Sequence, residues 1–191
     1  MTPGAAEGAK VTRDECIGLV KQNCTNRNLF KHMLATEAVM ADLAERLGAD
    51  REEWARAGLV HDLDYDETAD DPDRHGLVSA EKLEELGFSA ELIHAVKAHN
   101  CHVPRESRMD RALYASDPVT GLIVAAALMH PSKKLAEVDV PFIMRRFGEK
   151  RFAAGADRDQ IRSCSELGLE LEDFLGVALG AMQRISDDLG L

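Results

Sequence analysis

Between residues 28 and 47 the apolar side chains Leu29, Met33, Met40, Leu43 and Leu47 return at helical spacing. Nowhere in the chain do strong β formers alternate over the length of a strand. A stripe of that kind must be buried against other helices, so the pattern predicts an all-α protein. Aromatic residues make up only 5% of the chain, which leaves Leu, Ala, Val, Ile and Met to build the core. With 191 residues a single domain with one core is expected. We expect it to occupy residues 11–191, with residues 1–10 (MTPGAAEGAK) as a flexible tail.

Local signals divide the chain into about eight helices without an internal repeat. A short one covers 12–21, and the long one at 28–47 is closed by Gly48. Asp50 and Glu53 form a capping-box pattern that opens a helix running to His61. An acidic loop follows over 62–71. Asp71 then reads as the cap of a helix with Pro72 at its first position and Gly87 at its end. Ser89 caps another that reaches Asn100. Residues 110–129 are helical, interrupted at Asp117-Pro118, where Pro118 either kinks one helix or starts a second one capped by Asp117. The turn HPSKK leads to a short helix at about 141–147, and a final long helix covers about 171–188.

The formal charge is −11, from 34 acidic and 23 basic side chains. Such a surface repels a phosphate backbone, so duplex nucleic acid is not expected as a partner. A small anionic substrate remains compatible if a cation supplies positive charge locally. Four cysteines (Cys16, Cys24, Cys101, Cys164) show no CxxC spacing and are expected to be reduced and mostly buried. There is no apolar signal segment at the N-terminus, and the longest apolar run, 122–129, is too short to span a bilayer. No membrane association and a cytoplasmic location are therefore expected. The oligomeric state is open, a dimer included.

Helical geometry gives the histidines directions. His32 lines up with Thr36, Val39 and Leu43; His61 with Trp54, Ala57 and Gly58; His75 with Val78 and Leu86. His99 shares a face with Leu92, Ala95 and Val96, whereas His94 points away from it with Lys97. Asp117 lines up with Leu113, Gly121, Val124 and Leu128. Four histidines and the two aspartates Asp62 and Asp117 are thus directed inward. Burying a carboxylate costs several kcal/mol, as an order of magnitude, unless it is paired or bound to a cation. Imidazoles with carboxylates suit one or two divalent transition metal ions: Fe, Mn, Co, Ni or Zn. A buried polar network without metal is the competing arrangement.

The same residues resemble the HD-domain metal-dependent phosphohydrolase superfamily. His61-Asp62, in AGLVHDLDY, resembles its signature doublet. His32, in NLFKHMLATEAVM, precedes the doublet by one helix, and Asp117, in ALYASDPVTGLI, stands at the closing aspartate. His75 and His99 occupy the places of the two further histidines in the two-metal members. The resemblance covers about 25–130 and is closest to small stand-alone proteins of the HDIG type. Leu63-Asp64-Tyr65 departs from the common Ile-Gly-Lys that follows the doublet. A GYP extension is absent, and His99 is followed by Asn100 and not by a second histidine.

The resemblance implies hydrolysis of a phosphoester in a small phosphorylated metabolite or nucleotide by a metal-activated water. His32, His61, Asp62 and Asp117 would hold one ion; Asp62 would bridge to a second held by His75 and His99. Asp64, Asp66 and Glu67, in the acidic loop, are candidate catalytic groups for positioning water or protonating the leaving oxygen. Arg105, Lys133 and Lys134 are candidate phosphate contacts. Two alternatives stay open: a mixed-valent di-iron oxygenase with the same ligands, and a degenerate domain that only binds a nucleotide or a partner.

Overall fold

The computed structural model describes residues 11–191; the proposed tail at 1–10 lies outside the described residues. In chain order the helices are α1 (Arg13–Asn23), α2 (Arg27–Leu47), α3 (Arg51–Val60), α4 (Tyr65–Thr68), α5 (Leu77–Glu85) and α6 (Ala90–His99). They continue with α7 (Arg108–Met129), α8 (Val140–Phe147), α9 (Arg158–Arg162), α10 (Leu171–Arg184) and α11 (Ser186–Leu189). Eight of these have eight or more residues, and α4, α9 and α11 are single turns. Among the described residues there is no strand. The protein is all-α, as the apolar periodicity predicts.

Helices α2 and α7 are the two long elements around which the others pack. Asn26 caps α2 through its side chain, and Gly48, at φ 66°, ends it in the left-handed conformation that glycine adopts without steric cost. The closest approach is between α2 and α3. A Cβ on Gly58 would lie 2.6 Å from the Thr36 carbonyl oxygen and 2.7 Å from its carbon. Both obstructing atoms are backbone, so only glycine fits. This contact sets α3 directly on α2, and the ends of both helices then deliver their histidines to one place.

Several boundaries differ from expectation for identifiable reasons. No helix begins at Pro72. The Asp71 carbonyl accepts from the N–H groups of Arg74 and His75 in a turn, and α5 starts only after Gly76, at φ 82°. His75 therefore lies outside the helix, and its direction is set by the turn and not by helical period. The cap of α5 comes from far off: Asp64 Oδ2 accepts from Gly76 N at 2.8 Å and Ser79 N at 2.9 Å. A buried carboxylate at a helix N-terminus outcompetes the local cap that Asp71 could have offered.

The acidic run at 62–71 is not a solvated loop either, since Asp62, Leu63, Asp64 and Thr68 are all buried. Asp117-Pro118 does not divide its helix. Ser107 and Asp110 form the capping box of α7, which continues to Met129 with Pro118 inside, where it has no N–H for the Tyr114 carbonyl. The single turn α9 and the 3₁₀ segment Ser163–Leu167 have no counterpart among the expected elements. The final helix stops at Arg184, four residues short of the expected end.

Cys16, Cys24 and Cys164 are buried and Cys101 is exposed; all four are free thiols. Burial pushes the Cys16 and Cys164 thiols up to about 11 and Cys24 to about 12, so none of the three is reactive at neutral pH. Helix α7 has the length and hydropathy of a membrane-crossing helix, with 56% of its most apolar window buried inside the protein; a core helix has the same properties.

Gly58→Ala should destabilise the protein by about 1–3 kcal/mol or prevent folding, because overpacking here meets backbone and not a flexible side chain. Thermal unfolding followed by circular dichroism measures it, and a melting temperature equal to wild type would contradict the close-approach account.

Candidate metal centre

Six side chains from separate parts of the fold meet at one point. His32 comes from the first half of α2, and His61 and Asp62 from the C-terminal end of α3. His75 belongs to the turn before α5, His99 is the last residue of α6, and Asp117 sits midway along α7. Each imidazole is oriented by an acceptor on its outer nitrogen. His61 Nδ1 donates to the Gly58 carbonyl at 2.9 Å, and His99 Nδ1 to the Val96 carbonyl at 2.5 Å. His75 Nδ1 donates to Asp64 Oδ1 at 2.9 Å. His32 Nδ1 lies 2.9 Å from Thr120 Oγ1, whose own proton goes to the Asp117 carbonyl, so this hydroxyl accepts too. With a proton fixed on every Nδ1, four Nε2 atoms are left to face inward.

Those Nε2 atoms crowd around Asp62. His32 Nε2 is 3.2 Å from His61 Nε2, and His75 Nε2 is 3.4 Å from His99 Nε2. Asp62 Oδ1 lies 3.3 Å from His61 Nε2, 3.3 Å from His75 Nε2 and 3.5 Å from His99 Nε2, while Oδ2 is 3.5 Å from His32 Nε2. Asp117 Oδ1 adds an oxygen 3.1 Å from His32 Nε2. The Asp62 Oδ1 atom is buried without a hydrogen-bond partner. Lone pairs facing one another at these distances repel unless a proton or a cation lies between them. Two overlapping triads, His32/His61/Asp62 and Asp62/His75/His99, each bring three ligand atoms within 4.8 Å of one another. Nitrogen and oxygen donors in this number fit divalent transition metal ions, with Asp62 common to both positions.

The crowding shifts the titration of the carboxylates and of His75. Burial alone would raise the Asp62 carboxyl, but His61, His75, His99 and His32 hold it well below the usual carboxylate range. Asp117 is likewise lowered against its burial by His32 and His61. Burial would push the His75 imidazole down; the carboxylates of Asp62 and Asp64 beside it reverse this and push it up to about 10.

The remaining expected site residues lie elsewhere. Asp64 is fully buried and both of its carboxylate oxygens accept N–H groups, so it is not free to handle a water. Asp66 accepts from the backbone N–H and the hydroxyl of Thr25 at 2.6 and 2.8 Å, tying α4 to the α1–α2 connection. Glu67 pairs with Arg74 at 3.3 Å and Lys82 at 3.5 Å. Arg105 lies over the Tyr114 ring and pairs with Glu166 at 2.9 Å.

Lys133 and Lys134 are exposed in the turn after α7. A cleft of about 360 Å³ opens over His32 and Asp117, walled by Pro118, Gly121, Ala125, Ala153, Gly155 and Ala156. Arg105, Lys133 and Lys134 do not line it. A larger cavity of about 510 Å³, lined by α1, α2, α3 and α10, contains none of the six. The second rank of the site was not anticipated: Thr120 behind His32, and Tyr65, whose ring is edge-on to His75 at 5.4 Å. Thr120 was readable in principle, being one turn from Asp117 on the same helix.

The HD domain family matches this chain over residues 29–128, just over half of its length, and the matched span contains all six converging residues. The chain belongs to the HD domain family. Among curated relatives, Ribonuclease Y of Oleidesulfovibrio alaskensis is 29% identical over 96 residues, 50% of this chain and 18% of the relative. Ribonuclease Y of Nitratidesulfovibrio vulgaris is 30% identical over 98 residues, with the same coverage of 50% and 18%. Ribonuclease Y of Desulfotalea psychrophila is 25% identical over 160 residues, 81% of this chain and 30% of the relative. The chain thus spans less than a third of the length of these relatives. No solved structure matches.

Because ligand imidazoles must be deprotonated on the inward nitrogen, metal uptake should release protons. The sign follows from His75. Its pKa is raised to about 10, so a proton competes throughout the neutral range, and affinity rises with pH. Asp62 and Asp117 are lowered and contribute no further dependence there. His99 is raised as well, by Asp62 and Asp117 against its burial, so affinity should gain at least about tenfold per pH unit between about pH 6 and 9. Calorimetric titration with Mn or Co in buffers of different ionisation enthalpy measures this, and a pH-independent affinity would contradict it.

Proposed function

We propose that this HD domain hydrolyses a phosphoester bond in a small phosphorylated metabolite or a nucleotide. The observation that carries the reading is the pair of ligand triads that share the buried Asp62 carboxylate. His32, His61, Asp62 and Asp117 would hold one ion, and His75 and His99, with Asp62 between, a second. When bound, such ions polarise a phosphoryl oxygen and lower the pKa of water to near neutrality. The chain's own contribution is positional. Outer hydrogen bonds preset every imidazole, and the cleft beside His32 and Asp117 admits a slender group between small side chains.

The name of the similar proteins, ribonuclease, belongs to the same reaction class, cleavage of a phosphoester. For this chain a small substrate is favoured over RNA. The net charge of −11 opposes a polyanion, and the cleft walls carry no lysine or arginine. The cytoplasm is the location we propose, on the four free thiols.

The deciding experiment is a screen of nucleotides, sugar phosphates and phosphonates with Fe- and Mn-loaded protein, run with and without oxygen. Phosphate or nucleotide release that is independent of O₂, and reduced to background in Asp62→Ala, is the expected result. Turnover that requires iron and consumes O₂ would select a di-iron oxygenase instead. Absence of any turnover by fully loaded protein would favour a binding domain.

A further inference from the structure

Three of the four inward imidazoles lean on neutral acceptors: two backbone carbonyls and the Thr120 hydroxyl. His75 alone leans on a carboxylate. That carboxylate, Asp64, is fixed from every side. Its backbone N–H donates to Ser79 Oγ at 2.9 Å, and its carbonyl accepts from the Thr68 N–H and hydroxyl at 2.8 and 2.9 Å. Oδ2 accepts from Gly76 and Ser79 at the N-terminus of α5, which leaves Oδ1 for His75. Asp64 has no exposed surface.

The charges of the two metal positions are also unequal. The first has Asp117 besides its share of Asp62. The second has its share of Asp62 with the rings of His75 and His99.

We propose that Asp64 is a positioning residue for the second metal position, holding His75 with Nε2 inward and passing anionic character through the ring to that ion. The inference rests on the metal reading given above. Hydrogen bonds from a metal-binding imidazole to a carboxylate orient the ring and raise its basicity, and their loss commonly lowers affinity about 10–100-fold. In Asp64 that bond makes good the negative charge that the second triad lacks. The arrangement also explains why the residue two positions after Asp62 is acidic yet dry.

The test uses the whole chain and Co(II), titrated by visible absorption with elemental analysis of the product. Wild type should take up two ions. Asp64→Asn should retain the first at wild-type affinity and bind the second about 10–100-fold more weakly. Ser79→Ala, which loosens the Asp64 backbone but keeps the carboxylate, should retain both. A second measurement needs no variant. In zinc-loaded wild type, nitrogen-15-correlated imidazole spectra should show the His75 Hδ1 proton present and farther downfield than that of His61, whose neutral acceptor lies at the same 2.9 Å.

Two ions bound with unchanged affinity by Asp64→Asn would overturn the proposal. So would equal loss in Ser79→Ala, or a His75 Hδ1 signal no farther downfield than that of His61. If Asp64→Asn does not fold, the wild-type spectrum decides alone. Failure of wild type to bind any ion would instead overturn the metal reading on which this rests.

Discussion

Asp62 is the constraint on which the rest of the structure turns. It is a buried carboxylate whose Oδ1 has no hydrogen-bond partner, and among the described residues no lysine or arginine pairs with it. An isolated buried charge costs several kcal/mol, as an order of magnitude, and a domain of this size has only about 5–15 kcal/mol of net stability to set against it. Four imidazoles therefore surround it, each from a different place in the chain. The helices can be regarded as the means of bringing these rings within 3.3–3.5 Å of one side chain. Three of these rings face Oδ1 and the fourth faces Oδ2, a donor set that suits a cation shared through Asp62.

Precision at the centre comes from contacts with no chemistry of their own. The missing side chain at Gly58 lets α3 rest on the α2 backbone at Thr36, four residues beyond His32, and the Gly58 carbonyl then orients His61. One glycine thus sets both the spacing of two helices and the tautomer of a ligand. Thr120 does the equivalent for His32 from α7.

Much of this was legible in the residues, for definable reasons. Long amphipathic helices announce themselves by period, so α2, α3, α6, α7 and α10 were found with ends close to those observed. Side-chain direction follows from the same period for His32, His61, His99 and Asp117, because those residues lie in or at the end of regular helix. The structure brings His75 to the cluster from a turn, because the helix expected to carry it begins two residues later, at Leu77. The error arose because Asp64, distant in sequence, caps α5 in place of Asp71. For the same reason Asp64 looked like an acid in a solvated loop. A tertiary cap leaves no local signature, and neither does the pairing of Arg105 with Glu166, 61 residues away.

The most direct test of the central claim is anomalous diffraction from crystals of metal-loaded protein, recorded on either side of the absorption edge of the added metal. Two peaks are expected on opposite sides of the Asp62 carboxylate, one against His32, His61 and Asp117 and the other against His75 and His99. Peaks elsewhere, or an Asp62 carboxylate that touches no peak, would contradict the account.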